Sequence, residues 1–474
     1  MSMCSAESCS GTAATPYDRC LAHLDREELD RALADLGPGR MLDVRGVVIT
    51  AELLAVLLGR IGQGLGRVRF DGAVIACDAW FSGRRFQGDV SFDGTRFLGA
   101  ASFYGVRFER NASFRGAHFL GAASFADALF AGYAVFDHAV FHRDAVVSAA
   151  EFTEGASYEG TVFAGYACFD DSRFGRDGWF RGARFRQVVS MKGTTFHRDA
   201  SFAGAVFGGR AWLGPMTVAR QLVLTRVRST RAVTVAAVAT RVDCAGGYFA
   251  DGTTLRLRRA ALLLENAVLV GTVRVEGAPR PLPRTCEQLI GEDRQALVLS
   301  LRGARLDDLL LGDVDLSGCR FTGLARPDRV RFSGRAGFAD LPAGLRRRRG
   351  WPPVAWQGGR RILADEFTVP FDPAQVAALY RHLAAALLPE DRRTAADFRY
   401  GEMEIRRRNA PRLIERWRLG LHWMLFGYGL RLRRGLVWLL ILMLAATFAT
   451  LTRNGVGSGP TRPHVAPGLR STGH

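Results

Sequence analysis

The sequence predicts a mainly β solenoid with helices at both ends and one transmembrane helix near its C-terminus. Three observations lead there. Between Phe81 and Leu213 a large hydrophobe recurs at alternating spacings of five and six residues, so the chain repeats every eleven, and a fixed short period means a solenoid. The residue two places before each hydrophobe is nearly always small, as at Ala101, Ala112, Ala123 and Ala134. Glycine often follows by two, as in Phe92-Asp93-Gly94 and Phe103-Tyr104-Gly105, which is corner chemistry because Gly accepts positive φ. An eleven-residue period also suits a right-handed coiled coil, but recurrent Gly costs a helix about 1 kcal/mol each.

Residues 1–24 read as a zinc-binding leader. Cys4, Cys9, Cys20 and His23 stand in C-x4-C-x10-C-x2-H spacing, and four such ligands suit one tetrahedral structural zinc. A segment this short, with few apolar residues, folds only around a metal or against another domain. A disordered leader with free thiols is the competing reading. The other cysteines, Cys77, Cys168, Cys244, Cys286 and Cys319, show no pairing pattern, which fits a reducing cytoplasm. Residues 25–69 read as a helical N-terminal cap, with helices over 25–36 and 51–61 separated by Gly37-Pro38-Gly39. Asp25 with Glu28 forms a variant capping box, and Thr50 is a second N-cap. Leu53, Leu54, Leu57, Leu58 and Ile61 make an apolar stripe suited to covering the open end of a β-solenoid.

Residues 70–213 hold the repeat. One set of hydrophobes runs from Phe86 in steps of eleven to Phe207, and the other runs from Phe81 through Val147, Tyr158 and Met191 to Leu213; 21 of the 25 positions are Phe. This pattern resembles the Phe-rich variant of the pentapeptide-repeat family, in which five- and six-residue units alternate. The resemblance implies a right-handed quadrilateral β-helix, two eleven-residue repeats closing each coil. The 144 residues from Phe70 to Leu213 would then make about 6.5 coils, a rod roughly 31 Å long at ~4.8 Å per coil.

Over 214–294 the period decays into β-branched, alternating text that reads as irregular coils of the same helix. Over 295–325 five-residue spacing returns as Leu301, Leu306, Leu311, Leu316 and Phe321, the Leu form of the pentapeptide repeat. Residues 326–434 read as a basic linker, with Arg346 to Arg349, Trp351 and Trp356, followed by juxtamembrane helices. Residues 435–452 are 18 uncharged residues between Arg434 and Arg453, just enough to span a bilayer. A helix buried in a soluble fold competes, but the Gly-rich tail 453–474, read as disordered, leaves little to bury it. Arg406, Arg407, Arg408, Arg412, Arg416, Arg418, Arg431 and Arg433 crowd the N-terminal side, which orients a single-pass cell-membrane protein with its bulk in the cytoplasm. The Cys/His leader, the Leu-form repeats, the run FRYGEMEIRR from Phe398 and the span together resemble pentapeptide-repeat membrane proteins of actinobacteria, a group without an assigned activity. Members continue further past the first span, which implies that this chain is shortened.

Net charge is +18, unevenly placed. Residues 1–69 carry 8 basic and 9 acidic groups, 70–213 carry 15 and 15, and the remainder carries 41 and 22. One class within the family binds gyrase by mimicking DNA, which needs an acidic face, and a nucleic-acid binder needs a basic stripe on the repeats. The neutral repeat argues against both, leaving a gyrase or nucleic-acid binder as the alternative reading. A signalling or channel subunit is a third: Gly427-Tyr428-Gly429 matches a potassium-filter tripeptide but lacks the flanking Thr-Val run and second span, so an interfacial break is the simpler account. Of the solenoid histidines, His118, His138, His142 and His197, the last two sit in Phe-His-Arg-Asp-Ala copies that start five repeats apart, which places them on opposite faces. Asp170-Asp171 and Asp307-Asp308 point in different directions. With no nucleophile–base constellation or phosphate loop, the chain reads as no enzyme. Glu402, Glu404 and Arg406 to Arg408 read as a solvated helix face, or as a lipid-headgroup site. The leading reading is a membrane-anchored, non-catalytic scaffold for an unidentified protein partner, contacting lipids through the span and the basic helix.

Overall fold

A computed structural model describes residues 3–34, 36, 39–61, 64–291, 295–342, 344–347, 354–357, 359–367, 372–430 and 432–455. The chain forms a right-handed β-solenoid of about 13 turns with C-terminal helices. It divides into two compact units, Met1–Phe398 and Arg399–His474.

The strand Arg107–Phe108 pairs in parallel with Arg85–Phe86 before it and Leu129–Phe130 after it, two eleven-residue repeats away in each direction. Between the last two pairs lie Ala112–Ser113, His118–Phe119 and Ala123–Ser124, so each coil has four sides of one short strand. In the set that runs from Phe81, the corner after the Phe holds positive φ: 64° at Gly94, 63° at Gly105 and 62° at Gly116, and the same position one coil on is taken by Asp127 and His138 at 55° and 59°.

The two eleven-residue sets resolve into four columns of rings. In one, Phe92, Phe114 and Phe136 stack at 5.0 and 4.9 Å, within 8° of parallel. Neighbouring columns interlock edge to face, as Phe114 does with Phe103 at 5.4 Å and Phe125 at 5.3 Å. All of these rings are fully buried, as are Ala112 and Ala123 on the strands. Where a hydroxyl replaces Ala at the second small position it is satisfied: Thr95, Thr161 and Ser172 donate to the carbonyls of Phe70, Phe136 and Val147, each at 2.7 Å.

Tyr158 breaks that rule. Its ring stacks on Phe136 and Phe180 at 4.7 and 5.0 Å, yet its hydroxyl is buried without a hydrogen-bond partner. Burial pushes its pKa well up. An unmet buried hydroxyl costs about 1–3 kcal/mol. Tyr158→Phe keeps the stack and removes the cost, so it raises stability by about 1–2 kcal/mol, measured as a higher Tm of the full chain; an unchanged or lower Tm refutes the account.

The solenoid begins earlier than the sequence indicates. Leu42–Asp43 and Val48–Ile49 already pair with Val68–Arg69 and Val74–Ile75, so residues 25–69 contain the first coil. Helix α2, Ala51–Arg60, is an excursion from that coil, with its buried Leu53, Leu54, Leu57 and Leu58 turned inward and Thr50 accepting from the Leu53 N–H. Helix α1, Arg26–Ala34, starts at a reciprocal capping box: the Glu28 N–H donates to Asp25 at 2.8 Å, and the Asp25 N–H to Glu28 at 3.1 Å.

Residues 214–294 continue the solenoid with changes of register. Ala211 pairs with Val233 in the register of the Phe coils, but Thr217 pairs with Val238 and Gln221 with Arg241, two irregularities that each take one residue out of the coil. Thr234 then pairs with Thr254, and Tyr248 with Val268, at the shorter period. Ala261 next pairs with Leu297, because the chain leaves the coil after Gly277 and rejoins it at Leu297. The excursion packs Ala278, Leu282 and Ile290 against Ala236 and Val238. Leu301, Leu306, Leu311, Leu316 and Phe321 are buried as the Leu-form repeat requires, and the solenoid runs on past residue 325 to Val330–Gly337. There Asp365, fully buried, accepts from the Phe321 and Thr322 N–H groups at 2.9 and 2.8 Å, donors that a further coil would otherwise take up. The basic loop is in part a hairpin, Gly344–Arg347 against Val354–Gln357; Arg348, Arg349 and Trp351 lie outside the described residues. Helix α3 is Pro373–Leu387, and α4 is Arg392–Asn409.

Within the second unit, α5 spans Leu413–Phe426 and α6 spans Leu432–Gly455. Gly427 and Tyr428 between them hold φ of 51° and 62°, a turn in place of any filter. Tyr428 is buried and its hydroxyl faces Glu404 at 3.4 Å. This corrects the reading of the FRYGEMEIRR run as a solvated face: Glu404 is only 3% exposed and binds Arg407 and Arg408 at 2.8 and 2.9 Å, while Arg407 lies 4.8 Å over Trp423. The expected transmembrane helix also needs correction. Among the described residues no helix is long and apolar enough to cross a membrane. Tail residues 456–474 lie outside the described residues.

Candidate metal centre

The leader is a hairpin closed by a second turn. Met3 bridges Thr12, and the Cys4 N–H donates to the Gly11 carbonyl at 2.8 Å, which sets Cys4 and Cys9 on either side of a short loop. A turn with the His23 N–H on the Cys20 carbonyl, 2.9 Å, folds the C-x2-H limb back towards them. Arg19 secures that limb, donating to the His23 carbonyl at 3.0 Å and to both Glu28 oxygens at 2.9 Å. Glu28 therefore serves the helix cap and the site together.

All four predicted ligands converge. His23 Nδ1 lies 3.4 Å from both Cys4 Sγ and Cys20 Sγ, and Cys9 Sγ lies 3.7 Å from Cys20 Sγ; the four atoms fall within 4.8 Å of one another. A tetrahedron with zinc–sulfur arms of ~2.3 Å and a zinc–nitrogen arm of ~2.0 Å has edges of about 3.8 and 3.5 Å. Three of the six edges, at 3.4, 3.4 and 3.7 Å, match those values. Backbone N–H groups already point at two sulfurs, Cys20 N–H at Cys4 Sγ, 3.2 Å, and Gly11 N–H at Cys9 Sγ, 3.3 Å, as they do around metal-bound thiolates.

The sulfurs are electrostatically unequal. Burial raises the Cys4 thiol, but the Cys20 and Ala6 backbone groups, with His23 and Cys9, outweigh it and bring its pKa to about 6. Burial lifts Cys20 to about 12; the Ala22 backbone opposes this, and the Cys9 and Cys4 sulfurs add to it. Three thiolates cannot share this space unaided, and a divalent cation held by the four residues would supply the missing charge.

The leader sits on the first coil's open edge. The Thr12 N–H donates to the Arg45 carbonyl at 2.9 Å, and Ser10 Oγ to the Gly46 carbonyl at 3.1 Å. A Cβ on Gly46, which also holds φ of 65°, would stand 2.3 Å from the Ser10 carbonyl oxygen. Sequence reasoning picked out the four residues that converge but missed Arg19 and Gly46, whose roles depend on contacts across the fold.

The remaining candidates do not build a second centre of chemistry. Phe141 pairs with Phe119 and Phe163, and Phe196 with Phe174, so the two Phe-His-Arg-Asp-Ala copies lie on separate faces. Asp170 accepts from Ser190 and the Lys192 N–H at 2.6 and 2.8 Å, and Asp307 and Asp308 pair with Arg326 and Arg331. His118 and His142, in contrast, do meet.

The family described as Pentapeptide repeats (9 copies) matches residues 81–129 and 169–217. No curated protein and no solved structure matches the sequence. The matched residues lie in the four-sided coils and their Phe columns, and these coils belong to the pentapeptide-repeat family.

Proposed function

We propose that this chain is a non-catalytic scaffold, a pentapeptide-repeat rod anchored at the cytoplasmic face of the cell membrane through its C-terminal helices and closed at its first coil by one structural zinc. The observation that carries the anchor is the bare apolar surface of α5 and α6. Leu436, Val437, Leu439, Leu440, Leu442, Leu444, Phe448 and Leu451 are all exposed, so this stretch of α6 has no polar side to give to water. Such a helix belongs in lipid. On α5, Leu413, Ile414, Trp417 and Leu421 form an exposed stripe, Leu413 at 75% and Trp417 at 78%, beside Arg412, Arg416 and Arg418; this is the composition of a helix lying in the headgroup layer.

Zinc is supported by the tetrahedral edges of the leader cluster. The flat faces of the rod are where a protein partner would dock, and their paired charges support that use more than nucleic-acid binding. Sedimentation tests the anchor: after detergent-free lysis the full chain pellets with membranes, withstands a carbonate wash and enters the supernatant only with detergent. Full chain left in the supernatant after ultracentrifugation rejects it. Leu440→Arg with Leu444→Arg shifts the chain out of the carbonate-resistant fraction.

A further inference from the structure

Surface arginines along the solenoid commonly have a carboxylate at hand: Arg115 has Asp137 at 3.4 Å, Arg176 has Glu154 at 2.9 Å and Arg198 has Asp177 at 3.8 Å. One face departs from this. The register places His118 directly beside Arg96 on one side and Val140 on the other, and the chain emerging from Val140–Phe141 brings His142 and Arg143 over the same ground. The His118 and His142 rings lie 5.9 Å apart at 28°. With Arg96, Arg143 and Leu120 they line an open depression of about 600 Å³.

Four side chains able to carry positive charge thus converge. Neither Arg96 nor Arg143 has a carboxylate partner among the described residues. The acids at the corners of this face are occupied elsewhere: Asp78 accepts from the Ala100 N–H and Asp144 from the Tyr166 N–H, both at 2.9 Å. Like charges on adjacent strands repel, and the strain is visible at His118, where burial first, then His142 and Arg96, lower the pKa. A counter-charge is missing.

We infer that this depression binds a phosphate-class oxyanion, with the Arg96 and Arg143 guanidiniums and the His118 and His142 ring N–H groups as donors. Guanidinium forks match pairs of phosphate oxygens, and imidazoles donate from both nitrogens once protonated. A free phosphate ion and a phosphomonoester present the same chemistry.

The test is calorimetric titration of the detergent-solubilised full chain with inorganic phosphate, sulfate and a nucleoside 5′-monophosphate. Phosphate and sulfate bind, and the double variant His142→Gln, Arg143→Gln weakens both by roughly tenfold or more. Both positions are exposed, and an unchanged thermal melt shows that the variant is folded. Arg198→Gln, at the Asp177 pair, leaves affinity unchanged. A monophosphate that binds about tenfold tighter than phosphate identifies an ester as the natural ligand; equal affinity identifies the free ion. Equal binding by wild type and the double variant, or no binding by the wild type at millimolar concentration, overturns the site.

Discussion

Phe114→Ala is expected to destabilise the central solenoid by about 3–5 kcal/mol, the range for deleting a buried aromatic ring. Phe114 has no exposed surface and touches rings on every side: Phe92 and Phe136 stack on it, while Phe103, Phe108 and Phe125 meet it edge to face. Neighbours cannot collapse into the gap, because the backbone above and below is tied into the ladder through Phe92 N–H to Ser113 and Phe114 N–H to Val135, both 2.7 Å. A solenoid is stabilised coil by coil, so the loss is local. Hydrogen exchange on the full chain reads it: amides from Phe103 to Phe136 lose about two to four orders of magnitude of protection, while those near Leu262 keep theirs. Uniform loss along the rod, or none, contradicts the column description.

The second large effect is at the leader. Wild-type chain is expected to carry one zinc, and Cys20→Ser to carry almost none, because structural zinc contributes about 10–16 kcal/mol to a small site and Cys20 is the fully buried sulfur at its centre. Metal analysis of purified full chain measures this, and hydrogen exchange at Thr12 tracks the consequence, since its N–H is held on the edge of the first coil. Cys244→Ser is the control; that thiol is buried in the solenoid core, so its replacement lowers stability without altering metal content. A full complement of zinc in Cys20→Ser refutes the ligand set.

Legibility in the sequence depends on how local each signal is. The Phe period was readable because every coil repeats the same corner and the same ring, and the metal ligands because cysteine and histidine are scarce enough for spacing to speak. The first coil was hidden because α2 is inserted into it, so that Leu42 and its partner Val68 are not a whole number of repeats apart. The shortened coils were hidden because Val, Leu and Ala mark the inside less distinctly than Phe. Glu404 read as solvated since nothing in its own helix announces that Tyr428, past a left-handed turn, will cover it. The meeting of His118 and His142 was hidden for a related reason: their spacing exceeds one coil by two positions, so no multiple of the repeat relates them.

The shortening of the coil beyond the Phe columns governs how this chain can vary in length. Perimeter tracks the bulk of what it encloses: the long coil surrounds stacked benzyl rings, and shortening begins at Met216, just beyond Phe207, the last ring of the columns. Circumference is therefore a gauge of interior volume, and a lone deletion among the Phe coils would leave a wall too small for its contents while shifting each later ring off its column. Insertions are tolerated differently. At helix α2, and again between Gly277 and Leu297, the chain departs from the coil and rejoins it without disturbing the coils beyond, so viable length changes come as whole turns or as side excursions, and homologous rods should differ in length by those steps.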